Sequence, residues 1–156
     1  RHNGGGSISN AKEIVSHFSD STIDLGYSIL IKDGNTVQQT IHGKENLLKN
    51  KKVSLFINEF TMSSAEFIFA LGLICSKNDV TIFGRKSAGM KNQAKIFEIN
   101  NKLLLQVTVK KYVNFKNSFS EGIIPDVYVK NEFDEPYFIN DYFIDEYKRF
   151  QSERKC

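Results

Sequence analysis

Apolar residues recur at three-and-four spacing over residues 7–20, where Ile8, Ala11, Ile14, Val15 and Phe18 share one face, and this predicts a helix. Residues 27–32 and 36–41 flank Asp33-Gly34-Asn35 and predict a hairpin. A polar, basic connector over 44–52 leads to residues 53–57, whose β-branched and large apolar side chains predict a buried strand. From Ser64 onward Ala65, Phe67, Ile68, Phe69, Ala70, Leu71, Leu73 and Ile74 leave almost no polar face, the mark of a helix enclosed by protein. Asn78-Asp79 stops it, and residues 80–83 form another short apolar strand. Strand, buried helix and strand in this order predict a parallel crossover unit. A loop with two glycines over 84–92 precedes a second hairpin, 94–99 paired with 103–113 through Asn100-Asn101. A polar loop over 114–121 and a short strand ending near Val129 follow. Past Pro136, Phe138, Tyr142, Phe143, Tyr147 and Phe150 make a helical stripe. Acidic residues come first there, and Lys148, Arg149, Arg154 and Lys155 last, as a helix dipole favours. There is no internal repeat, and one domain is the simplest account.

Composition narrows the function classes. In 156 residues, 40% apolar with 13 Phe and 6 Tyr, the chain can bury a sizeable core. A formal charge of +3 from scattered lysines, without a basic run between exposed aromatics, argues against nucleic acid. The apolar run 67–75 is about half of what a membrane span needs. Cys75 sits in the apolar helix as a small hydrophobe and Cys156 on the terminal tail. They make no disulfide framework, and no Cys/His spacing suggests a metal. The glycine-rich start lacks both the Lys-Ser/Thr ending and the dinucleotide spacing of phosphate loops, so no cofactor is expected.

The candidate chemistry lies where the central strand meets the buried helix. A serine on a sharp strand-to-helix turn has its hydroxyl pushed clear of the backbone, and free N–H groups at the helix start can hold an oxyanion. Ser63 is at this joint and is the candidate nucleophile. Ser63-Ser-Ala-Glu66 equally matches the capping box that simply starts a helix. Residues 1–7 fit either a tag remnant or a native glycine turn that closely approaches a ligand. Of the three imidazoles, His17 falls on the first helix and His42 beside Gly43, both ordinary surface placements. His2 is nearest the glycines.

Four separated pieces align in order with one family. Arg1-His-Asn-Gly-Gly-Gly6 resembles the Arg-x-Asn-x-Gly-Gly loop of the C-terminal processing (tail-specific) serine peptidases, which favours the native glycine turn. Asn58-Glu-Phe-Thr-Met-Ser-Ser-Ala-Glu66 resembles their Asn-Glu-x-Thr-x-Ser nucleophile turn. Phe83-Gly-Arg-Lys-Ser-Ala-Gly89 is similar to their Gly-Glu-x-Thr-x-Gly loop, with Arg85 and Ser87 as departures, and Glu121-Gly-Ile-Ile-Pro-Asp126 matches their closing Gly-Ile-x-Pro-Asp. The Thr-x-Ser-Ser-Ala-Glu spelling is similar to the branch that includes the nisin resistance protein.

The resemblance implies an α/β core, a mixed sheet with crossover helices related to the Clp-protease and crotonase folds. Residues 1–130 would be the C-terminal part of a catalytic domain truncated at its N-terminus, and 131–156 a helical tail packed on it. Ser63 would attack a peptide carbonyl and form an acyl-enzyme, with the N–H groups of Gly5 and Ser64 as oxyanion donors. The Ser-Lys branch places its base directly after the second glycine of the middle loop. Here that residue is Met90, and Lys91 comes one position late, on the opposite side if the loop is extended. Lys91 is the candidate base and Glu121 a candidate charge partner; Lys86 lies four places too early. The other branch takes a histidine from upstream of the glycine loop. The chain would then need an upstream segment of the same protein for its base.

The implied substrate is the C-terminal tail of a peptide or protein, in an extracytoplasmic or membrane-associated setting. Two alternatives stand beside this reading. One is a non-catalytic peptide-binding module on the same fold. The other is a crotonase-type acyl-transfer enzyme, although no basic or adenine-binding pattern calls for coenzyme A.

Overall fold

Ser7 starts the first helix by accepting the Asn10 N–H on its Oγ at 3.2 Å, and α1 runs Ile8–Ser16. It is shorter than the apolar spacing predicts, because the chain turns at His17 and Phe18, whose N–H groups fall back on Ile14 and Val15 carbonyls. The computed structural model describes residues 1–44, 48, 50–76, 78–113, 121–130 and 142–153. Within these, β1 (Ile23–Leu30) and β2 (Thr36–Ile41) form the expected hairpin. Strand β1 begins earlier than predicted. The register shifts between Asp24 and Tyr27, where Gly26 donates its N–H to Asp24 Oδ1 at 2.9 Å. That bulge breaks the period-two pattern and hid the first half of the strand.

The crossover unit is present. β3 (Lys52–Ile57) and β4 (Asp79–Gly84) pair in parallel from Lys52↔Asp79 to Ile57↔Gly84, and β7 (Val127–Tyr128) adds in parallel to β4. Between β3 and β4 lies the buried helix, which begins as a π-helix over Ala65–Ala70 and continues as α2 (Leu71–Cys75). At the junction the Leu71 N–H reaches back five residues to the Glu66 carbonyl. The α/β class holds, and its strands divide over two sheets. One is parallel, in the order β3-β4-β7. The other is antiparallel, in the order β2-β1-β6-β5, with β5 (Asn92–Asn100) and β6 (Leu103–Val113) as the second hairpin.

The central helix is apolar all round because it has core on both sides. Ile68, Leu71 and Leu73 pack with Val15, Ile23, Leu25 and Ile41, while Ala70 meets Ile57, Ile82 and Ile123. Cys75 is half-buried at the edge of the first cluster. Helix α3 (Tyr142–Glu153) lays Phe143, Tyr147 and Phe150 on Phe56 and Phe83, with ring centroids 5.1 to 6.3 Å apart. The β5–β6 ribbon is different: Ile96, Phe97, Ile99, Leu103, Leu104 and Leu105 are all exposed. No helix among the described residues is long and apolar enough to cross a membrane. The predicted loop over 114–120, the stretch with Pro136 and Phe138, and Arg154, Lys155 and Cys156 lie outside the described residues.

Gly84 closes β4 at φ +128°, and a Cβ there would lie 1.9 Å from Ile57 O and 2.7 Å from Phe143 Cε1. Gly84→Ala is expected to cost about 3 kcal/mol or more and to lower the urea midpoint clearly. Gly34→Ala, at φ +73° in open space, should cost only about 1 kcal/mol. Equal midpoints for the two variants would show that the β3–β4 contact does not depend on a side-chain-free position.

Candidate active site

The turn after β3 is shaped by two buried side chains. Asn58 Oδ1 accepts the N–H groups of His2 at 3.0 Å and Phe60 at 3.3 Å. Thr61 Oγ1 accepts the Asn58 N–H at 3.1 Å, and the Thr61 N–H returns to the Asn58 carbonyl at 2.8 Å. Such side-chain-to-backbone bonds are what Asn and Thr supply in tight turns. The turn delivers Ser63 at φ +59°, a left-handed conformation that a non-glycine residue adopts only when its surroundings enforce it.

The helix-cap reading of Ser63 is half correct. Glu66 does reach back, and the Ser63 N–H is donated to its Oε2 at 3.0 Å. The serine hydroxyl, however, is not the cap. The Glu66 and Phe67 N–H groups go to the Ser63 main-chain carbonyl at 2.9 and 3.0 Å. Ser63 Oγ has no hydrogen-bond partner among the described residues and lines a cavity of about 510 Å³.

Glu66 does more than cap. Its carboxylate is fully buried and accepts, besides the Ser63 N–H, the Gly89 N–H at 2.7 Å, the Met90 N–H at 3.0 Å and the Ser87 hydroxyl. Ser87 Oγ in turn accepts the Ile123 N–H at 2.7 Å. Gly122 fits where a Cβ would stand 2.6 Å from the Ser87 carbonyl oxygen. Asp126 closes the set by accepting the Ile82 N–H at 2.7 Å.

The glycine loop lies directly on the turn. A Cβ on Gly5, at φ +87°, would stand 2.8 Å from Ser63 Cβ and 3.0 Å from Ser64 N. The Met62 N–H is donated to the Asn3 carbonyl at 3.0 Å, and Ser64 Oγ to the Gly6 carbonyl at 3.2 Å. One expected donor needs correction. The Gly5 N–H is occupied within its own loop, donated to Asn3 Oδ1 at 3.0 Å. The amides of Gly4, Gly6 and Ser64 have no partner among the described residues, and all three residues line the Ser63 cavity. Gly5 contributes close approach, and a neighbouring glycine holds the free amide.

Lys91 and Glu121 are not brought to Ser63. Met90 lines the Ser63 cavity and Lys91 does not; Lys91 lines an adjoining cleft with Gly89 and Lys111, to which Met90 and Asn92 also belong. Glu121 is highly exposed and paired with Lys86 at 3.3 Å, so its carboxylate faces solvent. His2 stacks on Phe60 with ring centroids 5.5 Å apart, and burial followed by the nearby Arg1 charge lowers its pKa. His17 lies beside Glu13 at 3.6 Å, and His42 beside Thr22 Oγ1 at 3.3 Å. Neither histidine nor lysine occurs among the described residues lining the cavity. Its titratable group is Tyr112, whose hydroxyl donates to Gln93 Oε1 at 3.3 Å and whose pKa burial raises. Among the described residues, no group of three His, Cys, Asp or Glu is placed to hold a metal ion.

Sequence reasoning missed the reach of Glu66 and the role of Ser87, although both stood in the aligned pieces. A hydroxyl at the threonine position of the middle loop was the available signal. The Arg85 departure is also explained, because its guanidinium pairs with Glu59 at 2.6 Å just beyond the last β3–β4 pair.

No curated protein sequence matches the chain. Among solved structures, a candidate peptidase from Parabacteroides merdae superposes with a TM-score of 0.73 at 20% identity, covering 96% of this chain and 49% of that one. The photosystem II D1 C-terminal processing protease gives 0.59 at 21%, covering 83% and 33%. A lipoprotein from Streptococcus agalactiae gives 0.59 at 19%, covering 98% and 52%. At these identities the likeness shows a shared fold, and the chain spans about half or less of each neighbour. The sequence model of peptidase family S41 matches residues 1–129, and the chain belongs to that family.

Proposed function

We propose that this chain carries the nucleophile and oxyanion donors of a serine peptidase that cuts near the C-terminus of extended peptides. The observation that carries the reading is Ser63 itself: a left-handed serine with an unpartnered hydroxyl, facing a cavity beside the free amides of Ser64 and the glycine loop. Ser63 Oγ would add to the scissile carbonyl carbon while a base takes its proton. The carbonyl oxygen, now negative, would be held by the Ser64 N–H and the amide of Gly4 or Gly6. Collapse would expel the amine, which takes the proton from the base, and leave an acyl-enzyme on Ser63 for water to hydrolyse. The base would come from a segment of the same protein outside this chain. The peptide would lie extended along the β5–β6 wall of the cavity, adding to a sheet edge.

A second reading has its own observation. Met90 fills the wall where the Ser-Lys branch would place its lysine, which suits a module that binds peptides without cutting them.

A fluorophosphonate probe on the full-length protein separates the two. Wild type should label on a single serine and Ser63→Ala should not. Absence of labelling in wild type, with peptide binding retained, would favour the binding module. Glu66→Gln tests the scaffold. Whichever way the amide turns, its NH₂ meets an N–H donor that the carboxylate now satisfies. The expected loss is about 2–4 kcal/mol in urea unfolding. At a denaturant-free temperature where the variant remains folded, Ser63 labelling should slow at least about tenfold, since the Ser63 N–H loses its anchor. Unchanged labelling would show that the elbow holds its shape without Glu66.

A further inference from the structure

We infer that Lys12 and Lys110 form a carboxylate-binding subsite at one end of the Ser63 cavity, an inference that rests on the peptidase reading above. The cavity is walled on one side by α1, through Ile8, and on another by β6, through Tyr112. Lys12 stands one helical turn beyond Ile8 on the same face. Lys110 shares its face of β6 with Tyr112, two residues away, and is paired across the ladder with Gln93 of the cavity wall. Neither lysine lines the cavity itself, but each is a near neighbour of residues that do, Lys12 of Ile8 on α1 and Lys110 of Gln93 and Tyr112 on the β5–β6 side.

Three observations make this a site and not two solvated side chains. Both lysines are half-buried, although lysine normally reaches for solvent. Neither forms an ion pair among the described residues, and the nearest acidic neighbour in sequence, Glu13, is committed to Lys44. Burial first, and the Lys110 charge second, lower the pKa of Lys12. Lastly, the β5–β6 register shifts between Gln93 and Ala94, which inserts an extra residue into β6 beside Lys110. Bulges of this kind re-aim a side chain next to a binding site.

Two like charges held together in a half-buried gap are relieved by an anion that both can grip. Against a peptide-binding cavity that anion is a carboxylate, either the free C-terminus of the peptide or an Asp or Glu side chain. The subsite would set the distance between the carboxylate and the bond presented to Ser63.

The test uses full-length protein carrying Ser63→Ala and fluorescence polarisation with three fluorescein-labelled alanine-leucine octapeptides: a free acid, its C-terminal amide, and the amide with one interior aspartate. The free acid is expected to bind about tenfold more tightly than the amide. Adding Lys12→Met and Lys110→Met should abolish that preference, and Lys12→Arg with Lys110→Arg should keep it. If the aspartate peptide regains the lost affinity in a lysine-dependent way, the carboxylate read is a side chain. Binding of all three peptides within about twofold of one another, before and after the methionine substitutions, would overturn the subsite. Loss of the peptidase reading shows instead as failure of Ser63 to label, which does not depend on either lysine.

Discussion

A single buried carboxylate holds the site together. Glu66 has no exposed surface, and no lysine or arginine among the described residues pairs with it; its charge is met by three backbone N–H groups and one hydroxyl. Burying an unpaired carboxylate costs several kcal/mol, and charge-assisted hydrogen bonds are the interactions strong enough to offset that. Their donors come from the turn at Ser63 and from the loop after β4, so neither segment can move without exposing the charge. Ser87 extends the constraint to Ile123, and the closing Gly122-Ile-Ile-Pro-Asp126 segment is thereby fixed to the same centre. Pieces of chain far apart in sequence converge because one anion needs all of them.

That constraint explains how a strained serine persists. A non-glycine residue at φ +59° costs on the order of 1 kcal/mol or more, and it reverts unless its neighbours are tied down. Here both flanks are tied: Met62 to Asn3 of the glycine loop, Thr61 to Ala88 across the site, and Ser63 N–H to Glu66. The helix then begins on the Ser63 carbonyl and not on its hydroxyl, so Oγ and the Ser64 N–H are left unspent. The π-helical turns begin directly after this residue and carry Glu66, fully buried, in their first turn. Groups already aligned before substrate arrives need no rearrangement during reaction, which is where such sites gain most of their effect.

How much of this was legible depends on the kind of signal. Composition alone identified β3, β4 and the enclosed helix, because burial on both sides writes itself as unbroken apolar sequence. The same lack of a polar face concealed the π-helix, which differs from an α-helix only in periodicity. Ser63 was visible as the residue at the joint, and the motif spacing already put Met90, not Lys91, at the position that lines the cavity. Glu66 was visible only as a capping residue, since a sequence shows the local partner and not the distant Gly89 and Met90 amides. Gly5 was expected as an oxyanion donor, but its amide is taken by Asn3 Oδ1, a contact within two residues that motif spacing does not specify. The early start of β1 was lost to a bulge at Gly26 for a similar reason: one inserted residue erases a period of two.

The two walls of the cavity differ in physical character. The wall carrying Ser63, Ser64 and Phe67 belongs to the buried helix and inherits its rigidity from two hydrophobic clusters and the Glu66 bonds. The opposite wall, with Gln93, Gln106 and Thr108, is the root of a ribbon whose outer residues are exposed on both faces. A two-stranded ribbon with little buried apolar area sits at the low end of local stability. Ser63 and the amides beside it are thus fixed, while the β5–β6 side, along which the proposed peptide would lie, has less holding it in place. This division suits a site in which the chemistry needs a fixed geometry and the substrate backbone, differing from one peptide to the next, must be accommodated by strand pairing on the yielding side.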